Sequence, residues 1–413
     1  MKRCKWKGLI LALLVVTNII CLREGVFASA VPNVTGFKVA GWATDALRLN
    51  WNVNTSAQGY IIEQKNGSKW TRIARLEGQK TKTYRVEKLK PATEYSFRIK
   101  AFTINKGKAN YSGYVNTSGM TNLSNVTGFK IGGWAKNALR VNWDINNGAQ
   151  GYIIEQKSGN SWNRIARIEG NKTKTFRVEK LQPSTEYSFR IRAFSFYNKK
   201  AVYSGYVNVS GKTYPGSITN FKVAGWANNA LRVNWDVNSS AEGYIIEQKD
   251  SNGSWKRIAR LEGAKNKTFR VEKLKPGTEY SFRMCSFNLY NKKASYSGYV
   301  YATGKTNPAE ISGLKIGGSA YNALRLNWNA DASAQGYIIE QKVNGTWKRI
   351  ARLEGKNLKT YRVEKLEPET KYEFRVKAFS IYKGKASYSN YKAISGKTLK
   401  YNAPDEDWEL PIL

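Results

Sequence analysis

Hydrophobic and polar residues alternate along this chain in short runs. In ALRLNWN (46–52), Leu47, Leu49 and Trp51 share one side, with Arg48 and Asn50 on the other. GYIIEQK (59–65) sets Tyr60 with Ile62, and TYRVEKL (83–89) sets Tyr84 with Val86. YSFRIKA (95–101) lines up Tyr95, Phe97, Ile99 and Ala101 against Arg98 and Lys100. A period of two places successive side chains on opposite faces of an extended chain, so each run predicts a half-buried strand. Turn-forming triplets such as NGS (66–68) and NNG (146–148) separate the runs. No stretch after residue 30 carries a helical period.

The whole pattern returns four times. Trp51, Trp143, Trp235 and Trp328 mark a spacing of 92 or 93 residues. That is the size of an independent domain and exceeds the unit of a solenoid or propeller. The predicted organisation is a leader at 1–30, repeats at 31–121, 122–213, 214–306 and 307–398, and an acidic tail at 399–413. About seven half-buried strands per repeat predict an all-β fold of four two-sheet sandwiches, arranged as an elongated rod. One phrase recurs with the period: LKPATEYSFRI (89–99), LQPSTEYSFRI (181–191), LKPGTEYSFRM (274–284) and LEPETKYEFRV (366–376). Its proline ends one strand and its tyrosine opens the next. Tyr95, Tyr187, Tyr280 and Tyr372 are therefore expected to fill the core with their rings and bond the preceding backbone, as in the tyrosine corner of Greek-key sandwiches.

These residues carry a resemblance. A tryptophan in the second strand, the Leu-x-Pro-x-Thr-x-Tyr-x-Phe-Arg corner and a YSGYV segment ahead of Gly-Lys-Thr resemble the fibronectin type III module over residues 31–398. The wording of the repeats is similar to tandem copies in secreted proteins of Gram-positive bacteria such as clostridia. The resemblance implies an immunoglobulin-like sandwich and says little of function, since that fold hosts many. The integrin-binding Arg-Gly-Asp that some members present is absent here.

Composition narrows the chemistry. The chain has 413 residues and no histidine, which removes the commonest general base and metal ligand. No phosphate loop, metal-spaced cluster or nucleophile elbow is visible. The reading is a non-enzyme with no cofactor and no metal. Basic MKRCKWKG, an apolar run and Ala28-Ser29-Ala30 form the pattern of a cleaved secretory signal, so the product is expected outside the cell or held non-covalently at its surface. No later run could span a membrane. Of three cysteines only Cys285 follows the leader. It aligns with Lys100, Arg192 and Lys377, on the outward face of its strand, and is expected to be a surface thiol. The net charge is +38, spread over all four repeats.

The basic loops are the main binding candidates. One end of each repeat, its leading end, should collect Lys80, Lys82, Lys106 and Lys108 in the first copy, and Lys172, Lys174, Lys199 and Lys200 in the second. Lys265, Lys267, Lys292 and Lys293 follow in the third, and Lys356, Lys359, Lys383 and Lys385 in the fourth. Tyr197, Tyr290 or Tyr382 lies beside them in the later copies. Converging lysines with an aromatic suit an anionic polymer, such as an acidic polysaccharide or cell-wall polymer, and repeated weak sites gain avidity. A merely solvated surface is the plainer alternative. Specific nucleic-acid recognition is not expected, and other extracellular proteins remain open as partners.

Trp42, Trp134 and Trp226 stand in a turn at the opposite, trailing end, where the fourth copy has Ser319. They are expected to pack against the following repeat; sugar stacking and cover of their own sandwich edge are the alternatives. Glu63, Glu77, Glu87 and Glu94 recur at outward strand positions and should offset neighbouring cations. The function expected is adhesion to an anionic extracellular polymer. The alternative is a carbohydrate-binding or spacer protein accompanying polysaccharide degradation.

Overall fold

The structure is a computed structural model that describes residues 30–402. The leader, except Ala30, and the tail beyond Asn402 lie outside the described residues.

In the first repeat the alternating runs become β1 (Lys38–Trp42), β2 (Leu47–Asn50), β3 (Gly59–Asn66), β4 (Lys69–Glu77), β5 (Thr83–Val86), β6 (Glu94–Asn105), β7 (Lys108–Tyr111) and β8 (Val115–Met120). The last strand is divided, which makes eight segments where the sequence pattern suggests seven. β1, β2 and β5 form a three-stranded sheet, while β4, β3 and β6 continue into β7 and β8 as the larger sheet. The paired strands are antiparallel, with Asn50 opposite both Lys38 and Thr83, and Gly59 opposite Phe102. The same strand order recurs in the other three repeats. No helix among the described residues is long and apolar enough to cross a membrane.

Two compact units appear within the chain. One runs as far as Asn125 and takes in Asn146–Gly151 and Ala193–Gly205; the other comprises Val126–Ile145, Tyr152–Arg192 and the chain from Tyr206 onward. In the first unit the inward rows meet as a core of Leu47, Leu49, Trp51, Tyr60, Ile62, Val86, Phe97 and Ile99. Each large side chain withdrawn from water contributes about 1.5–3 kcal/mol. The second unit builds matching cores around Trp235 with Tyr244, and Trp328 with Tyr337. The indole and phenol rings of these pairs stand 5.2–5.4 Å apart.

The buried tyrosines also tie the loops together. The Asn54 amide donates to the Tyr60 hydroxyl (2.9 Å), which donates onward to the Gln79 carbonyl (3.0 Å). Tyr337 does the same between Asp331 and Lys356. Loops 52–58 and 78–82 thus share one end of the sandwich, and Gln58 adds the β6–β7 hairpin by accepting from the Ile104 amide (2.7 Å). Glycine must open the GYIIEQK phrase: a Cβ on Gly59 would stand 2.3 Å from the Leu76 carbonyl oxygen and 2.7 Å from the Phe102 ring.

Candidate functional site: two cationic faces and a tyrosine joint

Every one of the sixteen lysines from Lys80 to Lys385 is exposed. They do not form one patch. Lys82, Lys174, Lys267 and Lys359 immediately precede the third strand of the small sheet, and the last three line grooves on it. Lys106, Lys199, Lys292 and Lys383 sit at the hairpin tip in left-handed conformation, with φ between 47° and 63°. Lys108, Lys200, Lys293 and Lys385 open the strand after that tip. Lys80, Lys172, Lys265 and Lys356 lie in the same loop as Lys82 and its counterparts, two or three residues before them. Lys200 lines a cavity of about 660 Å³ with Trp42 and Tyr197 in the first unit. Lys383 donates to Thr303 (2.7 Å).

The tyrosines beside these lysines form joints between successive repeats. In the first unit the Tyr197 hydroxyl donates to Glu94 (2.9 Å) and lies 2.8 Å from the Ser118 hydroxyl. In the second unit Tyr290 donates to Glu186 (2.9 Å) and Tyr382 to Glu279 (2.6 Å). The Asn288 amide reinforces the Tyr290 joint through Ser184 (2.6 Å) and the Thr213 carbonyl (3.1 Å). Burial and the acceptor carboxylate keep the Tyr197 and Tyr290 phenols above their ordinary range. Residue identity follows the joints. The tyrosine position holds Asn105 in the first repeat, and the glutamate position holds Lys371 in the fourth.

Trp42, Trp134 and Trp226 end the first strand of their small sheets and are 53%, 46% and 52% exposed. Half of each ring remains open to solvent. The tyrosine corners are closed: Tyr95, Tyr187, Tyr280 and Tyr372 accept from the amides of Lys90, Gln182, Lys275 and Glu367 at 2.8–2.9 Å.

The outward face of the large sheet carries an arrangement that the alternation alone does not reveal. Arg98 lies opposite Glu63 and donates to it (2.7 Å), while its guanidinium stacks on Tyr114 (3.8 Å) and Trp70 (4.6 Å). Tyr114 donates to the other Glu63 oxygen (2.8 Å). Burial would raise the Glu63 carboxyl, but Arg98 and Tyr114 outweigh it and hold the group below its usual 4.5. Arg190 with Glu155, Arg283 with Glu247 and Arg375 with Glu340 repeat the stack. In the first repeat the next cation, Lys100, rests over Tyr111 and Tyr114.

This roof corrects the expectation for Cys285. The residue does point to the outward face, but it is 1% exposed and packs with Ile245 and Phe287. A lysine or arginine at this position is long enough to bring its charge to the surface beside the tyrosines. A cysteine ends beneath them. Burial pushes its thiol up to about 11.

The remaining glutamates are taken up locally. Glu77 pairs with Arg75 (2.7 Å) and Glu87 with Arg85 (2.9 Å), two residues away on the same strand edge. Among the described residues no group of three or more Cys, Asp or Glu side chains could hold a metal ion.

Four tandem two-sheet sandwiches with tyrosine corners, joined by tyrosine–glutamate contacts, define a modular repeat protein. The chain belongs to the fibronectin type III domain family, whose model matches residues 32–118, 124–205, 216–302 and 309–391. It is similar to fibronectin type-III domain-containing protein 3a of Gallus gallus, at 23% identity over 70% of this chain and 26% of that protein. It is similar to tenascin of Mus musculus, at 21% identity over 87% of this chain and 16% of that protein. This chain thus spans about a quarter or less of these curated relatives. A solved two-domain fibronectin type-III segment from chicken tenascin is 16% identical, covers 44% of this chain and all of that segment, and superposes with a TM-score of 0.31. Repeats of this family commonly act in binding or adhesion or as spacers, and the modules themselves are mostly non-enzymatic.

Proposed function

We propose that this chain is an exported, non-enzymatic binding protein that adheres to an anionic extracellular or cell-surface polymer. The observation that carries the reading is the exposure of all sixteen candidate lysines, distributed evenly over four repeats. A linear polyanion meeting several such repeats gains from each engagement once the first has formed. Export rests on the leader-like segment at 1–30. The test is retention of the whole chain on intact cells and on immobilised dextran sulfate across a salt series. Retention should fall steeply with added salt, because each neutralised anion releases a condensed counterion. Salt-insensitive retention, or none at low salt, contradicts the reading.

A second reading is favoured by the half-exposed rings of Trp42, Trp134 and Trp226. Flat aromatics stack on sugar faces, which suits a carbohydrate-binding or spacer role beside polysaccharide-degrading enzymes. Its signature is binding to insoluble neutral polysaccharide that persists in high salt.

A further inference from the structure

The small sheets of the second, third and fourth repeats carry a recess that nothing above assigns. In the second, third and fourth repeats it encloses about 440, 440 and 390 Å³ at the same place in the fold. In the fourth it is lined by Lys315, Arg325, Asn327, Asn329, Lys359 and Thr360. The register explains the grouping. Asn327 on the central strand faces Lys315 on one side and Thr360 on the other, and Arg325 stands one outward position along. Neighbouring strands lie about 4.8 Å apart, so the cations border a polar strip about 10 Å wide.

The chemistry of this recess is one-sided. Lysine and arginine side chains offer only donors. The Asn327 carbonyl oxygen, the natural acceptor on the floor, is taken by the Thr360 hydroxyl (2.8 Å), which leaves its NH2. Arg325 spends one hydrogen on the Gly317 carbonyl (2.9 Å). Its cross-strand neighbour Arg362 is paired with Glu364, whereas none of the ion pairs among the described residues includes Lys315, Arg325 or Lys359. Three unneutralised cations around a donor-rich floor repel one another until an anion arrives.

We infer that each recess binds one tetrahedral oxyanion, a sulfate or phosphate group carried along a polymer chain. A sulfate or phosphate monoester offers three free oxygens and a phosphate within the chain two, which the three cations can share, and the asparagine NH2 supplies a further donor. The inference deepens the polyanion reading above and rests on it. It also ranks the repeats. The second and third recesses contain Asp144 and Asp236, held by Thr127 (3.0 Å) and Thr219 (2.8 Å). The fourth has Asn329 at that place, and the first has Asn52, Lys38, Arg48 and Lys82 at the matching positions of its strands and loops. The carboxylate partly cancels the cations, so the first and fourth repeats are the stronger sites.

The test compares three forms of the whole chain on dextran sulfate and on sodium polyphosphate. One form is K38Q/K130Q/K222Q/K315Q in the recesses. The second is K88Q/K180Q/K273Q/K365Q, exposed lysines just ahead of the corner phrase and outside both the recess and the sixteen candidates, which removes the same charge. The third, D144N/D236N, removes no cation. The recess form should lose at least tenfold in affinity at 0.15 M salt, with a shallower salt slope, on both polymers if the shared oxyanion is read and on one if its carrier matters. The corner form should lose under threefold. The asparagine form should bind severalfold more tightly, a gain that misfolding cannot imitate. Equal losses in the first two forms, or no gain in the third, overturn the recess while leaving polyanion binding intact. Absence of wild-type binding to either polymer overturns both.

Discussion

The two sheets of each repeat display similar cations in opposite states. On the large sheet Arg375 donates to Glu340 at 2.7 Å and is enclosed between Tyr391 and Trp347 at 3.8 and 4.6 Å. On the small sheet Arg325 reaches one backbone carbonyl and stands exposed among Lys315 and Lys359. The first arrangement has no charge left to offer a ligand. Its cation, carboxylate and phenol satisfy one another, and their rings shield the strand beneath. The second leaves its charges unanswered. The count of 68 lysines and arginines therefore overstates the cations available to a ligand, because some are paired internally. What marks a surface for binding is the absence of a partner carboxylate, not the number of cations.

The sharpest way to break this comparison is to remove the arginine from each face. Arg375→Ala strands a Glu340 side chain that is only 14% exposed and takes away the stacked ring partner. It should cost about 2–3 kcal/mol locally, given partial burial. Arg325→Ala should cost under about 0.5 kcal/mol, as exposed positions do. Amide exchange along Lys371–Tyr382, compared with the strand Leu324–Asn327, separates the two. Similar losses in both would erase the distinction.

Cys285 probes the aromatic roof. With its thiol near 11 and its surface covered, it should react with iodoacetamide at pH 8 at least a hundredfold more slowly than free cysteine. Rapid alkylation in the folded chain would mean that the roof opens readily.

A smaller effect is expected at the corner. Tyr372→Phe removes the acceptor of the Glu367 amide (2.8 Å) and should cost about 1 kcal/mol, seen as faster exchange at that amide. The mildest test is acid. Glu63 and Glu340 have folded values below 4.5, so their contribution is fully present above that pH. It is lost as the pH falls through the depressed folded values. Thermal unfolding should be flat above about pH 5.5 and fall on acidification, less so in Glu63→Gln/Glu340→Gln. Polyanion binding by the folded chain does not use these carboxylates and should not follow the same curve.

Much of the fold is legible in the sequence because alternation and the corner phrase are local signals. Leu47, Leu49 and Trp51 sit where the period of two places them, all buried. Cys285 is misjudged because alternation tells which face a residue takes but not what covers that face. Its cover comes from Tyr299, in the link just before the last strand of the repeat. Tyr197, Tyr290 and Tyr382 look like companions of the lysines, being adjacent in sequence. At the end of a long strand, however, each reaches past its own sheet to the glutamate of the preceding repeat. The joints leave a trace in the Asn105 and Lys371 exceptions, readable only once the contact is known. The recess is half legible. Lys82 and its counterparts stand out, but Lys38 and Arg48 lie some 34–44 residues earlier and join them only through strand pairing.

The most direct test of the account is a residue-resolved map of polyphosphate binding to the whole chain, by backbone amide and arginine side-chain chemical shifts. The account expects shifts concentrated at Lys315, Arg325, Asn327 and Thr360 and at their counterparts in the first repeat. Weaker shifts should appear at the second and third recesses, and none at Arg98, Arg190, Arg283 or Arg375. Shifts centred on those four arginines, or spread evenly over all exposed lysines, would contradict it.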